Sequence, residues 1–267
     1  MEVLKFVYHN VIQFRKNIIW TLEALKERKK LKHRTCNLNS DIAGRTMILI
    51  PHADDEWIGC SRIIMCKEDV LLCNMDMQGG DTNSLHQRRY KELLYLADKY
   101  QKSLVTAKGV EDLEKEIIKF EPEVIMVPYY IDWHVEHIEV MKRLKEIITT
   151  NDNWKSLRVA MYQVSLPIMA DKITNYFVLT RTEWKEKWKE FRKIYSSQKH
   201  IPHVRFALNE YINGGIAGVH AVEVYVVMPA MKWAEILDEK ILTLEEQDEY
   251  ISILGSITKV RRTLKNK

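Results

Sequence analysis

The sequence predicts an α/β fold of Rossmann-like type, a mainly parallel sheet covered by helices. Three observations carry that expectation. Short apolar runs at residues 47–50, 70–75 and 124–127 have the length and the Ile, Leu and Val content of strands buried on both faces. Helix-length segments with apolar residues three and four apart separate these runs, so strands and helices alternate along the chain. Two of the runs, 47–50 and 124–127, stop at Pro51 and Pro128 and lead into clusters of His and carboxylates. In an open α/β sheet, the crevice beyond the carboxyl ends of the strands is where ligands sit.

The chain opens with Leu4, Val7, Val11, Phe14, Ile18, Leu22 and Leu25, a spacing that predicts an amphipathic helix over 2–30. Residues 1–34 hold nine Lys/Arg against three Glu, a net +6, whereas the whole chain carries +4 and the remainder is therefore −2. Three readings of this basic arm stand open. It packs on its own domain or on a partner subunit, as in a homo-oligomer; it lies on an anionic membrane surface; or it binds nucleic acid. No recognition motif accompanies the charge, so no nucleic-acid partner is expected.

Residues 37–44 read as a linker into the strand at 47–50. A helix over 57–66, a strand over 70–75 and a glycine-bearing loop at 78–81 follow. A helix over 85–100 carries Arg88, Arg89 and Glu92. Then come a short strand at 104–107, a helix over 110–120, the strand at 124–127 and a helix over 134–148. Residues 159–164 read as a fifth strand and 177–179 as a short extended piece. A helix over 182–195, capped by Thr182, sets Trp184 and Trp188 on one face as core or interface residues. Another helix spans 206–212, and Gly214, Gly215 and Gly218 punctuate the turn into a strand at 219–227. The tail from 231 is charged and helix-prone. The division that results is an N-terminal helix and linker (1–44), an α/β domain (45–230) and a C-terminal helical extension packed on that domain (231–267).

Hydrophobic residues make up 46% and charged residues 29% of the 267 residues, a balance that makes one α/β domain with added termini the economical reading. No stretch approaches the ~20 apolar residues of a membrane span. The first thirty residues lack the compact apolar core and cleavage site of a signal peptide. Cys36, Cys60, Cys66 and Cys73 show no paired spacing and read as reduced thiols. The expected location is the cytoplasm, peripheral to the membrane if the arm docks there.

His52, Asp54, Asp55 and Glu56 follow Pro51 within five positions. Like charges so close together resist burial unless a cation compensates them. A helix start explains the three acids but not the imidazole; a divalent metal explains all four. One histidine and one carboxylate are at most half a zinc site. The second strand end supplies more, with His134 and His137 three apart and so on one helical face, and Glu136 between them.

Together these residues resemble the PIG-L/LmbE-like zinc N-deacetylases, which remove acetyl from N-acetylglucosaminyl compounds. The family's His-Pro-Asp-Asp-Glu is matched by His52-Ala53-Asp54-Asp55-Glu56, and its His-Pro-Asp-His by His134-Val135-Glu136-His137. Arg89-Tyr90-Lys91-Glu92 is similar to its Arg-x-x-Glu helix, Tyr195-Ser196-Ser197-Gln198 to its Tyr-x-Ser-Gln, and Glu223-Val224-Tyr225 to its Glu-x-Phe. The likeness covers roughly residues 45–228 and skips both ends.

The resemblance implies His52, Asp55 and His137 as ligands of Zn2+, a donor set that also suits Fe2+. It implies Asp54 as the base that takes the proton of a zinc-activated water and His134 as the charged stabiliser of the oxyanion, with the general acid open between these two. Glu136, in place of the usual Asp, would orient His134. Arg89, Asp132 and Trp133 are the candidate substrate contacts. For Arg89 the alternative is a salt bridge to Glu92; for Asp132, capping the helix or orienting a ligand; for Trp133, with Tyr129 and Tyr130, rim packing. The implied substrate is an N-acetylated amino-sugar conjugate. The alternatives are a non-catalytic metal- or sugar-binding relative and a hydrolase of another small amide.

Overall fold

Seven strands, β1 (Thr46–Ile50), β2 (Val70–Met75), β3 (Ser103–Ala107), β4 (Val124–Pro128), β5 (Arg158–Tyr162), β6 (Asn175–Leu179) and β7 (Ala221–Pro229), form one sheet in the order β3-β2-β1-β4-β5-β7-β6. The computed structural model describes residues 2–31, 42–76, 84–150, 154, 156–198 and 201–265. The glycine-bearing loop expected at 78–81 and most of the linker expected at 37–44 lie outside the described residues. Strands β3 to β5 along the sheet pair in parallel, and β7 runs antiparallel to both β5 and β6.

The central strands read as apolar runs because alternate residues feed two cores. Met47, Leu49, Ile125 and Val127 face one layer, while Ile48, Ile50, Val124 and Met126 face the other. Helices α2 (Asp55–Cys66), α3 (Ser84–Lys99) and α6 (Arg181–Ile194) cover the second face through Trp57, Ile63, Leu93, Leu96, Trp188 and Phe191. Helices α4 (Val110–Phe120), α5 (Val135–Thr150) and α8 (Ala230–Lys240) cover the first, where Leu113, Ile117, Met141, Leu144 and Trp233 are buried. The terminal helices α9 (Leu244–Ile253) and α10 (Ile257–Leu264) bring Tyr250, Val260 and Leu264 into that same core.

Three local expectations are corrected. The cap of α6 is Thr180 rather than Thr182: its hydroxyl accepts from the Glu183 N–H at 3.2 Å, and Glu183 accepts from the Thr180 N–H at 2.8 Å. Thr180-Arg181-Thr182-Glu183 is a capping box framed two residues earlier, leaving Thr182 inside the helix. The helix expected over 206–212 is α7 (His203–Ala217), which runs through Gly214 and Gly215 and ends at Gly218, φ 68°. Gly214 serves close packing: a Cβ there would lie 2.7–2.8 Å from the backbone of residues 219–221. The extended piece expected at 177–179 is the full edge strand β6.

α1 (Glu2–Lys30) packs on α7 and α10, but through the opposite face from the one its periodicity picks out. Trp20 and Ala24 join Leu208, Ile212 and Ile257 in a small third core. Arg28 donates to the carbonyls of Tyr211, Val219 and His220 and lies over the Tyr211 ring.

Candidate metal centre and cleft

The strand order reverses between β1 and β4, so the crevice at their carboxyl ends is the sheet's topological switch point. His52 stands two residues beyond β1, and Asp55 opens α2. His134 and His137 stand at the start of α5, one short loop beyond β4. The fold thereby joins residues some eighty positions apart.

His52 Nδ1 lies 3.2 Å from His137 Nε2 and 3.3 Å from Asp55 Oδ2, and His137 Nε2 lies 3.1 Å from the same Oδ2. Ligands of tetrahedral zinc with bonds of about 2.0–2.1 Å sit about 3.3 Å apart. Three donors with these edges fit one face of such a tetrahedron, and two imidazoles with one carboxylate also suit Fe2+. The ligating nitrogens of His52, His134 and His137 lie within 4.8 Å of one another, a looser set. The triangle through Asp55, with edges of 3.1–3.3 Å, matches the spacing of such ligands more closely.

Asp132 fixes both histidines of the second motif. One carboxylate oxygen accepts from the His134 backbone N–H at 2.9 Å, and the other bonds His137 Nδ1 at 2.8 Å. The latter contact holds His137 in the tautomer whose Nε2 faces the other two donors. Both carboxylate oxygens of Asp132 are thus engaged by these histidines, while the Trp133 ring lies 4.7 Å from that of His134, tilted by 36°.

Burial and close approach set the charges of these residues against one another. Burial works against the charge on Asp55, yet His137 and His52 hold its carboxyl well below the usual range. His137 is driven down by burial but more strongly up by Asp132 and Asp55. Asp54 is pushed well above an ordinary carboxylate by burial, then by Asp55 and Glu56, with Arg89 opposing. Burial lifts Glu56 to about 7 against the bond it accepts from the Tyr195 hydroxyl. His134 is lowered by burial and by its two imidazole neighbours, with Asp132 and Glu136 opposing. Partial burial of Glu136 is outweighed by a backbone N–H and by His134, which keep it ionised.

Asp54 precedes α2 with φ 142°, a region that costs a non-glycine residue about 1–3 kcal/mol. Glu56 braces that backbone by accepting from the Asp54 N–H at 3.0 Å. A cleft of about 510 Å3 opens over His52, Asp54, Asp55, His134 and His137.

No family model matches the sequence, and no curated protein matches it. Solved structures do match. N,N'-diacetylchitobiose deacetylase from Pyrococcus horikoshii has a TM-score of 0.57 at 19% identity, over 74% of this chain and 89% of that one. The conserved protein TT1542 from Thermus thermophilus has 0.54 at 16%, over 70% and 96%. The A40926 pseudoaglycone deacetylase Dbv21 has 0.52 at 12%, over 70% and 98%. The chain has the fold of the LmbE/PIG-L-type deacetylases.

Within this fold the minor motifs are held in separate sets of hydrogen bonds. Arg89 donates to Gln198 at 2.9 Å rather than bridging to Glu92. Glu92 instead accepts from Ser196 and Ser197, and Gln198 donates to the Ala53 carbonyl at 3.4 Å. Glu223 lies under α2, accepting from the Arg62 N–H at 3.0 Å and from the buried ammonium of Lys187 at 2.6 Å. Tyr129 and Tyr130 are core residues, whereas Arg89 and Trp133 line the cleft. Arg89 Nε and Trp133 Nε1 are buried without a hydrogen-bond partner among the described residues. The wall formed by Lys16 and Trp20 of α1 and by Arg205 of α7 was missed from sequence, since no motif or spacing marks these residues.

Proposed function

We propose that the protein is a metal-dependent N-deacetylase that hydrolyses the acetamide of an N-acetylglucosamine-type sugar conjugate. The donor triangle of His52, Asp55 and His137, with edges of 3.1–3.3 Å at the switch point, is the observation that carries this reading. The named activities of the chitobiose and pseudoaglycone deacetylases support the same chemistry on the same fold.

Zinc held by these three residues would supply the Lewis acidity that readies a water near neutral pH and polarises the amide carbonyl. Asp54, strained and buried beside the triangle, accepts the proton of the attacking water. His134, fixed by Asp132 at its backbone and by Glu136 at Nδ1, presents its imidazole edge to the developing oxyanion. The longer side chain of Glu136 still reaches Nδ1 at 2.9 Å, so the substitution for Asp preserves the orienting contact. The leaving amine takes its proton from Asp54 or from His134. Arg89 and Trp133 line the cleft, where a guanidinium and an indole suit the hydroxyls and apolar face of a sugar.

Metal analysis of the purified protein, combined with acetate release over a panel of N-acetylglucosamine conjugates, tests the reading. The expected result is one metal ion per chain and release that stops on chelation and returns with Zn2+ or Fe2+. A metal-loaded protein that binds these sugars but frees no acetate would instead be a non-catalytic relative.

A further inference from the structure

Among the described residues, one face of α1 is left without a partner. Phe14, Ile18, Leu22 and Leu25 fall within an arc of about 80° at 100° per residue, the apolar stripe that the periodicity picks out. They are nevertheless turned outward: Phe14 is 66% and Leu22 62% exposed, Ile18 45% and Leu25 43%. The face that packs on α7 and α10 is the other one, through Trp20, Ala24 and Arg28. A helix apolar on two sides has two surfaces to cover, and the described residues cover one.

The charges flanking the stripe say what suits the other. Arg15, Lys26 and Lys29 are exposed beside it. The acids among the described side chains of α1 turn inward: Glu23 accepts from the Ser256 hydroxyl and the Ile257 N–H at the start of α10, and Glu27 is buried against Lys30. The neighbouring α10 repeats the asymmetry with Lys259, Arg262 and Lys265 exposed. An apolar stripe bordered by cations complements an anionic lipid surface. It repels a second copy of itself, which would bring the same charges face to face. Among the described residues no helix is long and apolar enough to cross a membrane, so a lipid contact here is one that lies along the surface.

We propose that α1 seats this protein on an anionic bilayer, inserting Phe14, Ile18, Leu22 and Leu25 between headgroups contacted by its lysines and arginines. Gln13, Lys16 and Trp20 of the same helix line the cleft, so the docked cleft opens beside the lipid surface.

Co-sedimentation of the full chain tests this, with vesicles of pure phosphatidylcholine and of its equal mixture with phosphatidylglycerol. Binding to the mixed vesicles alone, weakening with added salt, is expected. The double substitutions Phe14→Ser with Leu22→Ser and Lys26→Glu with Lys29→Glu should each cut the affinity by about tenfold or more. Both pairs are on the surface and outside the cleft, so circular dichroism should report an unchanged fold. Equal binding to both vesicle types, binding to neither, or full binding by the variants overturns the proposal. So does self-association that the Phe14→Ser, Leu22→Ser pair abolishes, which would make a second copy the occupant. Vesicle binding is read without substrate, so the result stands apart from the fate of the deacetylase reading.

Discussion

Asp54 and Asp132 show how single carboxylates of similar burial are given different work. Asp54 is held at φ 142° with its carboxyl pushed up by burial, whereas Asp132 spends both oxygens on His134 and His137. Asp54→Asn should therefore retain the metal and lose at least about a hundredfold in kcat, as removal of a general base does; metal content and acetate release on one preparation check it. Asp132→Ala should act the other way, lowering metal affinity by about 10–100-fold through a freed His137 ring. Competition with a chromogenic chelator measures that. That His52, Asp55 and His137 come together was legible in the sequence, because they follow the carboxyl ends of two buried strands. The work of Asp132 was not, because no periodicity sets where a side chain points in the loop between β4 and α5. Arg89 was ambiguous for the same reason: its partner Gln198 is 109 positions away, beyond the reach of any local pattern.

Elements were most legible where burial repeats along them. β1, β2 and β4 announce themselves because both of their faces are covered, whereas β6, at the sheet's edge with half-exposed residues, gives a short signal. What joins the elements beneath the site is less visible. Lys187 of α6 is fully buried, where it meets Glu210 of α7 at 2.5 Å, Glu223 of β7 at 2.6 Å and the Ile58 carbonyl of α2 at 2.7 Å. Helical spacing does put Lys187 on the apolar side of α6, three residues after Trp184 and four before Phe191, but no local pattern names the two acids it meets on α7 and β7. Lys187→Met would leave two buried carboxylates without a cation, a change that costs about 3–5 kcal/mol and is measurable by urea unfolding at neutral pH. The deficit should shrink on acidification. Burial already lifts Glu210 from 4.5 to about 7, so its folded form holds a proton more tightly than the unfolded chain does. That contribution is fully present below pH 4.5 and is lost as pH rises through about 7. Without the lysine the window widens upward, and Glu223→Gln in the same background should recover part of the loss.

For the whole molecule, the N-terminal helix serves as structure and as cleft wall at once. Its inner face carries Trp20, whose indole N–H donates to the Gly255 carbonyl at 2.9 Å. Glu23 caps α10, and Arg28 satisfies three carbonyls at the end of α7 and the entry to β7. Of the readings left open by the sequence, packing on its own domain thus describes the inner face alone. Removal of residues 1–31 should uncover Leu208, Ile212 and Ile257 and leave the start of α10 without its acidic cap. Losing the burial of a tryptophan alone costs about 3–5 kcal/mol. At roughly 2–4 °C per kcal/mol for a chain of this size, the truncated protein should melt about 6–20 °C lower or aggregate. Thermal unfolding followed by light scattering distinguishes the two. Trp20→Phe, which keeps an aromatic ring and gives up the bond to Gly255, should fall by only a few degrees, about what one hydrogen bond is worth. A truncated chain that melts with the full-length one would mean that α1 rests on the domain without supporting it. The cleft would then owe one of its walls to a segment free to leave.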